Sequence, residues 1–411
     1  MKALILAAGQ GKRLEPLTET QPKVMLPLVG KPLLEHLLIE VKRAGIREVS
    51  ILVGYCGDDI KSYFGNGSAI GLEITYLEQK ELLGTAHAIV KSNFTEDFLV
   101  LNGDTLVLSS DIKKIMKAHS GNATIAVKLS KNPELYGVVE VDKNIVKNLQ
   151  EKPEKPESNL ISTGIYAFST EIYSAIEKTG LSQRGEYEIT DSIKILMESG
   201  DVTAVEIENF FDIGSPWSYL EANAELLDKA EGKITGRVEE NVTINGKLIL
   251  EEGAVIKSGS YIEGPVYIGE ESSVGPNTYL RSFATVGKRC RIGMSTEIKN
   301  TIIMDKTNVP HLSYLGDSIV GRDCNFGAGA KIGNLRLDNS NVKVDIKGKL
   351  VDTGRRKFGA IIGDNVKLGL NVMINSGRKI GSGSKIGPGV IVYRDIPRGS
   401  TVIAEQKIKF R

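Results

Sequence analysis

With 411 residues the chain is long for a single hydrophobic core, and its 41% hydrophobic and 25% charged residues are those of a globular protein, not a disordered or fibrous one. A net charge of +1 excludes a global pull toward nucleic acid or an anionic membrane, so any anion site must be built locally. The three cysteines, Cys56, Cys290 and Cys324, lack a metal-ligand spacing, which points to free thiols in a reducing cytoplasm, and no apolar run suits a signal peptide or a membrane span.

The first strand, ALILAA (3–8), runs into a glycine-rich turn and then GKRLEPLTETQPKVMLP. Such a turn bares backbone N–H groups that suit phosphates, and Arg13 and Lys23 add two cations beside it. Two cations and an amide nest match a triphosphate, whose charge must be neutralised before an anion attacks it. A helix follows, PLLEHLLIEVKRAGI (32–46), then strands at 49–55, 73–79 and 97–104, a helix at 109–119, and strands at 123–129 and 136–142. This alternation, over residues 1–228, predicts an α/β, Rossmann-like domain with a mostly parallel sheet covered on both faces. Ligands in such sheets sit at the carboxyl ends of the strands. Asp104, ending LNGD, and Asp212, in FFDIGSPWSY, are the natural pair of carboxylates for a magnesium ion bridging phosphate oxygens.

After a polar, glycine-bearing segment, with the boundary expected within 229–240, the period changes to six. Ile244, Leu250, Ile256, Ile262, Ile268, Val274, Leu280, Val286, Ile292, Ile298 and Met304 are evenly spaced, and the series resumes at Val320, Phe326 and Ile332 and again from Ile362 to Ile386. Glycine often follows the aliphatic residue. A six-residue period fits neither a helix nor a strand with one buried face; it predicts a left-handed parallel β-helix of hexapeptide repeats over 241–400, with a basic tail over 401–411. Two apparent breaks, 306–318 and the strongly basic 334–359, are expected as loops on a binding surface.

Three hexads make one coil, so residues eighteen apart stack. Arg281 and Lys299 occupy the position usually held by glycine, one coil apart, with Glu263 one coil before. Like charges at one coil spacing repel by about 1 kcal/mol in water, which a bound phosphate would relieve. His311 follows at the first break, where it can act as a general base near neutral pH; His36, His87 and His119 read as structural.

Residues 1–228 resemble the sugar nucleotidyltransferases, enzymes that join a nucleoside triphosphate to a sugar 1-phosphate and release pyrophosphate. The resemblance implies that Leu6, Ala8, Gly9 and Gly11 meet the nucleotide, and that Arg13 and Lys23 stabilise the triphosphate. LEQKELLGTAHAI (77–89) is similar to the family's base-reading segment, with Gln79 on the base edge and Gly84 and Thr85 beneath it; its LGTA form implies a pyrimidine, hence UTP or dTTP. On the sugar side the resemblance implies Gly137, Glu151 on sugar hydroxyls, Lys152 on the sugar phosphate, and Thr163 and Gly164 on the wall, with GEYEITD (185–191) mainly structural and Glu186 an outer contact. No base is required, since a phosphate monoester dianion is already a nucleophile.

The β-helix resembles the acetyltransferase half of bacterial bifunctional N-acetylglucosamine-1-phosphate uridyltransferases, in an archaeal form. HLSYLGD and NFGAGA carry the resemblance together with Arg281 and Lys299. It implies that Arg281 and Lys299 hold an amino-sugar phosphate, that His311 deprotonates the amine attacking acetyl-CoA, and that Tyr314, Asn325 and Asn334 position the sugar. Ala328 and Lys357 are implied in coenzyme A binding, with Arg355 and Arg356 as further phosphate partners. A site lying between subunits implies a homotrimer or a dimer of trimers. The chain departs from the bacterial pattern at GNLRLDN and in the insertion before the repeat resumes, which leaves glucosamine and galactosamine 1-phosphate both open. The whole predicts a cytoplasmic, magnesium-dependent synthesis of UDP-N-acetylhexosamine. One alternative is a single-activity thymidylyl- or uridylyltransferase with a structural or regulatory β-helix. A regulatory scaffold with a dead active site is disfavoured by Arg13, Lys23, Asp104 and Asp212.

Overall fold

The computed structural model describes residues 1–81 and 83–409; Leu82, within the expected base-reading segment, and Phe410 and Arg411, which end the basic tail, lie outside the described residues. The chain forms two compact units, Met1–Gln10 with Pro32–Asp212, and Gly11–Lys31 with Ile213–Arg411. The 1–228 domain read from the sequence thus gives its segment Gly11–Lys31, and the helix that ends it, to the second unit.

The first unit holds strands β1 (Lys2–Ala7), β2 (Glu48–Val53), β3 (Glu73–Glu78), β4 (Phe98–Asn102), β5 (Thr105–Val107), β6 (Ala123–Leu129), β7 (Gly137–Asp142), β8 (Ile145–Glu151), β9 (Leu160–Phe168), β10 (Val202–Glu206) and β11 (Phe210–Asp212). Nine of them make one sheet, ordered β3-β2-β1-β4-β9-β6-β10-β8-β7, while β5 and β11 form a separate ribbon. Helix α1 (Leu33–Arg43) buries Leu33, Leu34, Leu37, Leu38 and Val41, the spacing of one helical face. Helices α2 (Gly57–Phe64), α3 (Thr85–Val90), α4 (Ser109–Ala118), α5 (Glu171–Glu177) and α6 (Ile189–Ser199) complete the unit. The sheet is more mixed than the alternation predicts. Strands β1 to β4 are parallel, but β9 enters antiparallel between β4 and β6, and β7 and β8 form an antiparallel hairpin at the edge.

In the second unit, helix α7 (Pro216–Lys229) starts with a capping box between Ser215 and Ser218 and has proline at its first turn. The β-helix follows as three parallel sheets of eight, nine and eight strands. Leu250 pairs with Ile268, Ile256 with Val274 and Ile262 with Leu280, the eighteen-residue coil read from the sequence. Each inward aliphatic contributes roughly 1.5–3 kcal/mol of burial, so the frame of the repeat is strongly held.

Three expectations change. The coils begin at Lys233–Ile234 and Arg237–Val238, inside the segment expected as a linker, and end at Thr401–Val402, inside the expected tail. Val286 pairs with Ile303 rather than Met304, so that side of the coil is one residue short. The segment 306–318 is not a break: Asn308–His311 and Tyr314–Gly316 are ladder strands, with Val309 and Leu315 buried, and a second short side returns the chain to Val320. The insertion after Ile332 is real; Val320 pairs next with Ile362, and the excursion carries the hairpin Lys343–Ile346 with Lys349–Asp352.

The first face of the β-helix is covered within the second unit. Asn223 of α7 accepts from Thr285 at 3.0 Å, Trp217 packs edge-on against Phe358, and Tyr219 donates to the Pro27 carbonyl. The third face presents, coil by coil, Tyr261, Tyr279, Glu297, Tyr314, Lys331, Met373 and Ile391 and is the open one.

Cys290 and Cys324 lie inside the coils, donate to the Met304 and Gly363 carbonyls, and are pushed by burial up to about 12. Cys56 is half-buried. At about pH 8, iodoacetamide is expected to label Cys56 in the native protein and to leave the other two unmodified until the chain is unfolded. Peptide mass spectrometry before and after denaturant reads this directly.

Candidate active sites

The carboxyl ends of β1 to β4 gather the first candidate site. Leu6 pairs with Asn102, Gly103 donates to the Leu6 carbonyl at 2.9 Å, Tyr55 donates to the Ala8 carbonyl at 3.2 Å, and Gln79 donates to the Val53 carbonyl at 2.9 Å. Gly9 has open space around it, so a ligand can approach the backbone. The Gln79 amide is buried and lies 3.4 Å from His87 Nδ1. Gly84 caps α3 at φ +106, and a Cβ there would meet the Tyr187 backbone at 2.5 Å; Thr85 opens the helix. Tyr187 lies in GEYEITD, which the structure thereby makes a support for the base-reading loop.

The antiparallel β5–β11 ribbon sets Asp212 opposite Thr105, one residue from Asp104. The Tyr136 hydroxyl lies 3.5 Å from Asp212. Two hard carboxylates in adjacent register suit a divalent cation that completes its shell with water and phosphate oxygens. Among the described residues there is no cluster of three or more His, Cys, Asp or Glu that could hold a metal by itself.

Gly137 pairs with Glu151, and a Cβ on Gly137 would lie 3.4 Å from the Glu151 carboxylate. Glu151 bridges Lys152 and Arg184, each at 3.3 Å. Arg184 also lies 3.4 Å from Glu188, whose carboxyl is pushed up by burial, and 3.6 Å from Glu186. Thr163 spends its hydroxyl on the Ala126 carbonyl at 2.8 Å, so it can offer the sugar backbone and surface but not that donor. Gly164, at φ +75, sits where a Cβ would strike the Asn102 amide at 2.1 Å. Asn102 was not singled out from the sequence, although it stands two residues before Asp104. The Thr190 hydroxyl, also not singled out, is buried beside Gly137 with no hydrogen-bond partner among the described residues.

Gly11, Arg13 and Lys23 belong to the second unit. Gly11 is left-handed at φ +75, and a Cβ there would lie 2.7 Å from that of Lys23, so the turn packs directly on the buried Lys23 stem. Arg13 is exposed one short 3-10 turn away.

On the β-helix, Arg281 and Lys299 stack as the arithmetic requires, since Leu280 pairs with Ile298. Each cation already has its own carboxylate. Arg281 lies 2.9 Å from Glu297, which holds the guanidinium pKa up, and packs over Tyr279, whose hydroxyl donates to Glu263 at 2.5 Å. Lys299 lies 3.1 Å from the buried Asp317. Repulsion between the two is thus offset locally, and the pair does not by itself require an anion. Asp317 also accepts from Asn300 at 2.8 Å and Asn334 at 2.5 Å, and Asn334 reaches the Tyr314 hydroxyl at 3.2 Å; burial holds that phenol's pKa up. Arg281, Lys299, Tyr314 and Asn334 therefore share one edge of the open face. Lys357 belongs to this edge, since the next residue, Phe358, donates to the Asn334 carbonyl. Arg355 is paired with Glu221 and Arg356 with Asn339.

His311 lies on the opposite edge. It pairs with Met294, and Gly329 donates to its carbonyl at 3.3 Å, which sets Ala328 in the next coil beside it. Asn325 pairs with Asn308 on the same side. One chain thus divides the expected acetyltransferase residues between two edges: a phosphate-type cluster on one, His311, Asn325 and Ala328 on the other.

Residues 2–229 match the nucleotidyl transferase family, residues 262–376 the GMPPB C-terminal domain and residues 359–394 the bacterial transferase hexapeptide repeat. A Methanocaldococcus jannaschii protein described as bifunctional protein GlmU is 44% identical over 100% of this chain and 99% of its own. A Sulfurisphaera tokodaii bifunctional sugar-1-phosphate nucleotidylyltransferase/acetyltransferase is 44% identical over 97% and 99%. Among solved structures, a putative glucose-1-phosphate thymidylyltransferase from Bacillus anthracis is 31% identical, with a TM-score of 0.51 over 57% of this chain and 98% of its own. A UDP-glucose pyrophosphorylase bound to UDP-glucose is 27% identical with the same TM-score, over 56% and 99%.

Proposed function

Because the chain belongs to the family of bifunctional sugar-1-phosphate nucleotidylyltransferases/acetyltransferases, we propose that it makes UDP-N-acetylhexosamine in two steps. The observation that carries the reading is 44% identity over an alignment that spans the whole chain.

In the first step the amine of glucosamine or galactosamine 1-phosphate attacks the thioester carbon of acetyl-CoA. The new C–N bond forms, the C–S bond breaks, and His311 takes the amine proton and returns it to the departing sulfur, so that coenzyme A leaves as a thiol. Arg281 and Lys299 hold the sugar phosphate, Tyr314, Asn325 and Asn334 orient the sugar, and Ala328 and Lys357 meet coenzyme A. The division of these residues between two edges supports assembly of the site from neighbouring subunits, in a homotrimer or dimer of trimers. Exposed Tyr261, Met373 and Ile391 on the open face support the same assembly.

In the second step the product's phosphate oxygen attacks the α-phosphorus of UTP or dTTP, and pyrophosphate leaves. Leu6, Ala8, Gly9 and Gly11 present backbone to the nucleotide, Gln79, Gly84 and Thr85 seat the base, and Arg13 and Lys23 neutralise the triphosphate. Gly137, Glu151, Lys152 and Thr163 form the sugar wall. Asp104 and Asp212 would hold a magnesium ion, which when bound offsets phosphate charge. Among the described residues no helix is long and apolar enough to cross a membrane, and the substrates are those of the cytoplasm.

The match of residues 262–376 to the GMPPB C-terminal domain names no acetyltransferase, which leaves one second reading, a β-helix that is only structural or regulatory. The test supplies acetyl-CoA with either amino-sugar 1-phosphate and follows free thiol. Release that depends on the sugar phosphate is expected; no release with either sugar would leave the second reading standing.

A further inference from the structure

The segment that carries Arg13 and Lys23 is seated on the β-helix, by contacts that lie within the second unit. Thr20 donates its hydroxyl to Asp364 at 2.6 Å. The Ser382 backbone donates to the Glu19 carboxylate at 2.8 Å, and Arg398 reaches the Glu19 carbonyl at 3.5 Å. Gln21 meets the sulfur of Met304 at 3.9 Å, and farther along the Pro27 carbonyl takes the Tyr219 hydroxyl.

Asp364 is the centre of this seat. It is buried at a coil corner, two residues after the inward Ile362. One carboxylate oxygen does a job internal to the coils, accepting from the Arg322 backbone at 2.7 Å, as Asp305 accepts from the Lys288 backbone at 2.8 Å at the same corner two coils earlier. Its other oxygen faces the Thr20 hydroxyl and the Arg322 guanidinium, the latter at 3.2 Å. The first oxygen serves the coils alone; the second is shared between the coils, through Arg322, and the loop, through Thr20. Ser382 divides its groups in the same way, its hydroxyl accepting from the Asp364 backbone while its own N–H meets Glu19.

We propose that Asp364 and Ser382 are positioning residues for nucleotidyl transfer, acting through Thr20 and Glu19 to hold the loop that bears Arg13 and Lys23. The inference rests on the reading that those two cations meet the triphosphate. A loop released from its seat must be ordered again when the nucleotide binds. The apparent affinity for the triphosphate then falls by the fraction of time the loop is out of place.

The experiment uses the full chain. Thr20→Val removes only a hydroxyl and leaves the coils and their Arg322–Asp364 contact as they are. Its KM for the nucleoside triphosphate is expected to rise about tenfold, the loss of roughly one hydrogen bond to a charged acceptor, with thiol release and the thermal midpoint unchanged. Thr20→Ser should restore the wild-type KM. A parallel Lys23→Ala sample tests the underlying reading. If Lys23→Ala abolishes transfer and Thr20→Val leaves KM and kcat as in wild type, the seat has no role and the proposal is wrong. If Thr20→Val lowers both activities together, its role is structural and the proposal also fails. If Lys23→Ala keeps full nucleotidyl transfer, the assignment of the loop itself is wrong.

Discussion

Asp104→Ala is expected to lower pyrophosphate release by at least about a hundredfold while leaving acetyl transfer at its wild-type rate. The asymmetry follows from where the residue stands. Asp104 lies past the end of β4, one residue from the Thr105 that faces Asp212 across the ribbon. The neighbouring backbone is held independently: Gly103 bonds to Leu6, and the Thr105 hydroxyl donates to the Asn102 carbonyl at 2.8 Å. Removing the carboxylate therefore takes away charge at the phosphates without loosening the turn. The measurement is paired, pyrophosphate and thiol on one preparation, with the midpoint of thermal unfolding as a check on folding. Equal loss of both activities, or loss of neither, would contradict the assignment of Asp104 to a separate nucleotidyl site.

The reverse pattern is expected of His311→Ala: acetyl transfer lower by about 10²- to 10⁴-fold, the usual contribution of a positioned general base, with nucleotidyl transfer from the already acetylated sugar phosphate unchanged. The histidine side chain is exposed at the edge of the open face, and the ladder uses only its backbone, whose carbonyl accepts from Ser313 at 2.7 Å and from Gly329. The fold therefore has little stake in the imidazole. Thiol release that persists in this variant would remove His311 from the chemistry and transfer the role to another group.

The β-helix was legible because its signal is one-dimensional. Inward positions such as Ile256, Val274 and Ile292 recur at fixed spacing and pair one above another. The reading slipped at Met304 for an instructive reason. Met304 is itself buried and aliphatic, so the pattern accepts it, yet the ladder uses Ile303. A side one residue short keeps its inward residue and moves everything after it out of phase, which made 306–318 look like a loop. In the first unit, hydrophobic runs located β1 to β4, β6 and β7 but not β8, β10 or β9, and the direction of β9 depends on pairings with β4 and β6 and on a bulge between Ser162 and Tyr166. Candidate site residues at strand ends, such as Gln79 and Asp104, stand out from motif and position. Asn102 could not, because its significance comes from a glycine far along the chain, Gly164. Nor could the carboxylates beside Arg281 and Lys299, since Glu297 and Asp317 become neighbours only through the coil.

The seat of loop 11–31 on the coils bears on how such genes can recombine. A crossover near residue 230 looks harmless in one dimension, since it separates the nucleotidyl transferase match, which ends at 229, from the hexapeptide strands that begin at Lys233. Yet it also parts Glu19 and Thr20 from Ser382 and Asp364, whose codons lie far downstream. A chimaera made there inherits a loop and a cradle from different parents. If the seat positions the loop as proposed, its nucleotide half keeps the parental affinity only where those four positions still match, and the two halves are expected to diverge as one lineage.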